Sequence, residues 1–102
     1  DANGRTLTEV DVWLENGDDV MAVEVKGKLL KKDVDDHLQR MAILQGHGKA
    51  RGDKRKLLGA VAGGIVRKDA RDYAIQSGFY VIEQSGDTLK IEMPQGFTPK
   101  AW

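Results

Sequence analysis

Three absences limit what this chain can be. It contains no cysteine, which excludes a disulfide framework and a thiolate zinc site and fits a reducing compartment such as the cytoplasm. It has no apolar run long enough for a transmembrane helix and no signal-peptide pattern, so we expect no membrane partner and a cytoplasmic location. It also has no net charge, because 16 basic and 16 acidic residues cancel. Any binding of nucleic acid would therefore need a local basic patch.

What is present is the composition of a globular domain. The 102 residues are 40% hydrophobic and 31% charged, and they include no low-complexity tract and no internal repeat. This composition predicts a single folded domain over residues 1–102. The chain begins with Asp1 rather than with Met, and we expect it to be the C-terminal part of a longer protein, with elements of the fold upstream.

Alternating and helical patterns of apolar residues predict the element order β-β-α-β-α-β-β. This order indicates a mixed α/β domain whose central sheet has helices on one or both faces. Gly46 and Gly48 are expected to end the first helix, and residues 49–56 to form a basic loop. Strands are predicted over residues 7–14, 20–26, 57–62, 79–83 and 88–92, and helices over residues 31–45 and 68–77.

The first predicted hairpin places charged residues inside an apolar run, around an Asn-Gly turn signal. A turn of two residues puts Glu9 opposite Glu24, whereas a turn of four puts Asp11 opposite Glu24 and Glu9 opposite Lys26. Both turns place these four side chains on one face of the hairpin. Opposed carboxylates repel each other, so the lysine, a divalent cation or open water must offset the repulsion. A solvated outer face is one interpretation. A pocket for Mg²⁺ or Mn²⁺, which prefer oxygen ligands, is the other.

The stretch TEVDVWLENGDDVMAVEVK, residues 8–26, resembles the signature of the PD-(D/E)XK nuclease superfamily. That signature is an Asp late in one strand, a turn, and Glu-x-Lys on the next strand. Asp11 matches the Asp, and Glu24-Val25-Lys26 matches the tripeptide. The following helix and apolar strand also match the family core, so the resemblance covers about residues 5–66. More narrowly, the chain resembles an uncharacterised bacterial branch with nuclease-like domains.

The resemblance implies a restriction-endonuclease-like fold and metal-dependent hydrolysis of phosphodiester bonds, with DNA as the expected substrate. Asp11 and Glu24, with the backbone carbonyl of Val25, would hold Mg²⁺ or Mn²⁺, and Glu9 could add a further ligand. Lys26 would orient or deprotonate the attacking water and stabilise charge on the phosphate. The expected catalytic residues are therefore Asp11, Glu24 and Lys26.

Basic side chains elsewhere are candidates for phosphate contacts, with a solvated loop as the alternative for each. The candidates are Lys28, Lys54, Arg55 and Lys56. The strands over residues 79–83 and 88–92 are expected to be edge strands that could pair with a second copy, which would give a homodimer. The alternative function is a non-catalytic module that keeps the nuclease-like fold for binding or oligomerisation.

Histidines and aromatic residues are interpreted as structural. His37 is expected on the polar side of the first helix and His47 in a loop, and their separation fits no metal-site spacing. Tyr73, Phe79 and Tyr80 are expected in the core rather than stacked on nucleic-acid bases.

Overall fold

A computed structural model describes residues 10–102 as a mixed sheet of five strands with two helices. The strands lie across the sheet in chain order, with antiparallel hairpins at both edges and parallel pairing in the middle. The mixed α/β class and the predicted element order are confirmed. The elements are β1 (Val12–Asn16), β2 (Asp19–Leu29), α1 (Lys31–Arg51), β3 (Lys56–Val66), α2 (Lys68–Gln76), β4 (Tyr80–Ser85) and β5 (Thr88–Glu92).

One hydrophobic core lies between the sheet and the two helices. Val34 and Met41 of α1 and Ala70 and Ala74 of α2 are fully buried in it. Phe79, which leads into β4, lies within the same cluster. Both helices therefore cover the same face of the sheet in residues 10–102. Neither helix of this part of the chain is long and apolar enough to span a membrane.

The C-terminal segment returns to this core. The Trp102 indole stacks on the Phe79 ring with centroids 5.0 Å apart. The Trp102 backbone N–H donates to the Leu57 carbonyl at 2.8 Å, which fixes the end of the chain beside β3. Phe79 is buried as predicted, while Tyr73 and Tyr80 are half-buried. Tyr73 packs against the core, and the Tyr80 ring contacts the Phe97 ring.

Helix α1 is longer than the sequence pattern predicts. It continues to Arg51, so the expectation that Gly46 and Gly48 end it is wrong. The helix ends instead at Gly52, which adopts the left-handed conformation (φ 73°) that glycine tolerates best. The Asp53 N–H then donates to the Gly48 carbonyl at 2.8 Å. The predicted basic loop over residues 49–56 is therefore reduced to residues 52–55.

Strands β2 and β3 also run past their predicted ends. Gly63 and Gly64, which follow the predicted third strand, lie within β3. Upstream of Gly27 the even-numbered residues of β2 face the helices, whereas beyond it the odd-numbered Leu29 does. At this point both strands change the face that they direct toward the helices. The two backbones also approach closely here, because a Cβ on Gly64 would lie 3.0 Å from the Gly27 carbonyl oxygen.

We expect Gly59→Ala to destabilise the fold by about 1–3 kcal/mol. A Cβ on Gly59 would lie 2.5 Å from Cε1 of Phe79, and that buried ring cannot move away easily. Gly46→Ala is the matched control, because its Cβ would meet nothing within 4 Å and glycine is unfavourable inside a helix. The control should raise the free energy of unfolding by about 0.5–1 kcal/mol. Urea unfolding of both variants checks this; equal effects would contradict the packing described for Phe79.

Candidate functional site

The register of the first hairpin decides which charged side chains meet. It pairs Val12 with Val23, so the next position outward, Asp11, lies level with Glu24. This is one of the two registers that the sequence leaves open, the one derived for a turn of four residues. In the structure this register occurs with a turn of only two residues, because the two strands form one more residue pair before the turn. Glu9 lies outside the described residues.

Asp11 is attached to the backbone of the neighbouring strand. Its side chain is exposed, and its Oδ2 accepts a hydrogen bond from the Val25 N–H at 2.9 Å. This bond places the carboxylate beside the Glu24-Val25-Lys26 tripeptide. The structure thus brings together three of the residues that the sequence predicts as a site.

Glu24 is buried between two cations. Only 5% of the residue is exposed, which excludes the interpretation of a fully solvated charged face. Its Oε1 accepts a hydrogen bond from Arg40 Nη1 at 2.9 Å, and its Oε2 lies 3.2 Å from Lys26 Nζ. A buried carboxylate needs such partners, since an uncompensated charge in the interior is strongly destabilising. Strand β2 and helix α1 are therefore joined by this carboxylate.

Arg40 is the residue of this cluster that the sequence analysis did not single out. It lies on α1 one turn after His37 and beside Met41, which is fully buried. The signal was present in the helical spacing of positions 33, 37 and 40, which are polar and share one side of the helix. Its partner Glu24 lies 16 positions away in the chain, and that pairing could not be seen from the helix pattern.

His37 is fully buried, so the expectation that it lies on the polar side of α1 is wrong. Its Nε2 lies 3.0 Å from the Ala22 carbonyl oxygen. A carbonyl can only accept, so Nε2 carries the proton and Nδ1 accepts from Arg40 Nη1 at 3.5 Å. Burial lowers the His37 pKa to about 4, the nearby Arg40 charge acts in the same direction, and the Ala22 hydrogen bond opposes both. The ring is therefore neutral at pH 7.

Lys26 is held in its charged form. The hydrogen bond to Glu24, and then the charge of that carboxylate, raise the pKa of Lys26 above its ordinary value. Its side chain is 42% exposed, so the ammonium group faces solvent while it contacts the buried carboxylate. In this state Lys26 can stabilise negative charge on a ligand. It is poorly suited to remove a proton from water.

Opposite charges lie close together in this cluster. Asp11 and Glu24 contribute two negative charges and Lys26 and Arg40 two positive ones, and the buried Asp33 carboxylate also acts on Lys26. In residues 10–102 no group of three or more His, Cys, Asp or Glu side chains is arranged to hold a metal ion. The two neighbouring carboxylates suit a hard cation chemically, but both oxygens of Glu24 already contact cationic side chains. The fit to Mg²⁺ is therefore partial, and a metal ion would have to displace Lys26 or Arg40.

The predicted phosphate-contact residues do not form one patch. Lys28 is exposed beyond the tripeptide, whereas Lys56 pairs with Asp19 at the opposite end of β2. That end lies about 17 Å from Glu24, at about 3.3 Å per strand residue. Lys54 is exposed there, but Arg55 donates to Asp53 at 2.8 Å and lies 3.2 Å from Glu15. The hydrogen bonds from Arg55 lower the pKa of Asp53 well below its ordinary value.

A cavity of about 160 Å³ lies near that same end. Trp13, Leu57 and Trp102 are among its lining residues, and neither Asp11 nor Glu24 borders it. The cavity is therefore separate from the charged cluster.

The buried histidine predicts a pH dependence of stability. Because the folded-state pKa of His37 is lowered from 6.5 to about 4, the unfolded chain binds more protons between these values. The contribution is complete above about pH 6.5 and is lost as the pH falls toward 4, by about 3 kcal/mol at most. We expect His37→Gln to show a smaller loss of unfolding free energy than the parent between about pH 7 and about pH 4.5.

His47→Gln is the matched control for this measurement. The expectation that His47 lies in a loop is wrong, because it lies on the same helix, where it is half-buried. Its replacement leaves the buried His37 imidazole in place. Urea unfolding at both pH values compares the three proteins. If His37→Gln loses as much stability on acidification as the parent does, the neutral buried imidazole is not the cause.

Comparison with family models, curated proteins and solved structures gives no match to this chain. The feature that stands out is a buried carboxylate, flanked by a second carboxylate and two cations, where β2 meets α1.

Proposed function

We propose that this domain hydrolyses phosphodiester bonds in a metal-dependent reaction, with DNA as its substrate. The observation that carries the proposal is the meeting of Asp11, Glu24 and Lys26 around one hairpin, supported by a 2.9 Å hydrogen bond and a 3.2 Å ion pair. The resemblance to PD-(D/E)XK nucleases assigns a role to each of these residues. The confirmed element order is compatible with that family, and the more specific restriction-endonuclease-like fold is part of the proposal.

The proposed roles follow from the charge of each group. Asp11 and Glu24, with the Val25 backbone carbonyl, would hold Mg²⁺ or Mn²⁺, which when bound polarises a phosphate and activates water. Lys26, which Glu24 keeps protonated, would stabilise the charge that develops on the phosphate. Arg40 is added to this set as a positioning residue, because its hydrogen bond fixes the orientation of the Glu24 carboxylate.

We expect Lys26→Ala to reduce DNA cleavage in Mg²⁺ or Mn²⁺ by about a hundredfold or more, because a charge that acts in the transition state is lost. The readout is cleavage of a labelled duplex, with thermal unfolding measured in parallel to show that the fold remains. Lys68→Ala is the control, since it removes a lysine whose exposed ion pair with Asp72 lies on α2. Cleavage by Lys26→Ala at the parent's rate would refute the assignment.

A non-catalytic binding or oligomerisation module is the second candidate. It is favoured by one observation, that Glu24 is already neutralised by Arg40 and Lys26 without a third metal ligand in residues 10–102. Such an ion-paired carboxylate could serve structure alone. Metal binding separates the two candidates.

We expect Mg²⁺ or Mn²⁺ to bind the parent in a calorimetric titration at millimolar concentration, and binding to be lost in Asp11→Asn. This substitution removes the charge but keeps an oxygen that can accept from the Val25 N–H. An absence of heat in the parent, with and without a short DNA duplex, would favour the non-catalytic module. Equal binding by parent and Asp11→Asn would place the metal elsewhere.

A further inference from the structure

Strand β5 forms one edge of the described sheet. It pairs with β4 on one side, and no strand of residues 10–102 pairs with its other side. An edge of this kind exposes backbone donors and acceptors that can bind another strand. We propose that β5 pairs in antiparallel fashion with β5 of a second copy, which gives a two-fold symmetric dimer. The inference does not rest on the proposed enzymatic function.

The two faces of this edge differ in character. Leu89, Ile91 and Met93 lie on one face and are 73%, 54% and 63% exposed. Lys90 and Glu92 lie on the other face, where their charged groups are 3.7 Å apart within the chain. The edge thus carries an apolar row on one side and one pair of opposite charges on the other.

The hairpin determines which backbone groups point outward. Ser85 and Thr88 flank a two-residue turn, and hydrogen-bonded pairs alternate with non-bonded pairs from such a turn. Thr88, Lys90 and Glu92 therefore direct their N–H and C=O groups toward β4, and the alternate residues Leu89 and Ile91 direct theirs away from the sheet. A partner strand must place its own outward-directed residues opposite these two.

This condition and two-fold symmetry leave few registers. With Lys90 opposite its own copy, two ammonium groups meet, and with Glu92 opposite its copy, two carboxylates meet. Both arrangements are unfavourable in an antiparallel pair. With Ile91 opposite Ile91 of the second copy, each Lys90 faces a Glu92 across the interface. Charge complementarity therefore selects this register.

The selected register also aligns the apolar row. Leu89 lies opposite Met93 of the second copy on both sides of the central Ile91 pair, so the apolar side chains of the two copies lie side by side. Pro94 has no N–H and ends the run of possible backbone bonds. The contact is short and closes on itself, as a two-fold interface does. An interface of this size predicts a weak dimer that depends on concentration.

Variants that reverse the charge of Lys90 or of Glu92 test this register of the dimer. Lys90→Glu alone places two carboxylates opposite each other at both charged pairs of the interface, and Glu92→Lys alone places two ammonium groups there. We expect each single variant to weaken the dimer by about tenfold or more. An equimolar mixture of the two variants should recover association, because each interface pair is then one lysine and one glutamate. Sedimentation velocity from about 10 µM to about 1 mM, where a small interface associates, measures this.

Two further variants distinguish pairing through β5 from a general effect of surface charge. Ile91→Pro removes an outward N–H without removing a bond to β4, so it should abolish the dimer while the circular dichroism spectrum is retained. Lys32→Glu makes the same charge change on the exposed first turn of α1 and should leave the dimer intact. The proposal is overturned if the parent is monomeric throughout, if the single variants associate as the parent does, or if the mixture does not recover association.

Discussion

The ion pair of Glu24 with Arg40 is the interaction on which the arrangement of the charged cluster depends. A carboxylate that is 5% exposed loses most of its hydration, and its charge must be balanced where it lies. Arg40 supplies that balance from the helix and Lys26 from the strand. Removal of either cation would leave part of a buried charge without compensation, which destabilises more than the intact pair stabilises. The strand and the helix are therefore coupled through one side chain.

A second contact between β2 and α1 lies beside this ion pair. His37 joins the Ala22 carbonyl of β2 to the Arg40 guanidinium of α1, and its ring lies 5.0 Å from the Phe79 ring. A protonated ring would put an N–H against the Arg40 N–H groups and a charge into the core. The neutral form is thus required by packing and by charge. Arg40 thus contacts both the neutral imidazole and the Glu24 carboxylate.

The sequence predicted the local part of this structure well. Alternation along the hairpin is a backbone property, so an even-numbered turn was enough to predict that Asp11 lies beside the Glu24-Val25-Lys26 tripeptide. The rotation of α1 did not follow, because His37 was expected on the polar side of the helix, whereas the structure buries it. A polar residue becomes a core residue only when a distant acceptor satisfies it. The glycines within α1 led to a wrong prediction of where the helix ends. Their weak helix propensity does not end the helix, which continues until Gly52 closes it.

The two cations beside Glu24 bear directly on the proposed chemistry. A divalent cation alone gains little from a site in which Asp11 and Glu24 are offset by Lys26 and Arg40, because it must first compete with a cation for Glu24. A phosphate group changes this balance, since it attracts Lys26 and Arg40 and leaves the carboxylates with excess negative charge. Metal and substrate would then each favour binding of the other. A site of this kind would have low affinity for metal until nucleic acid is present.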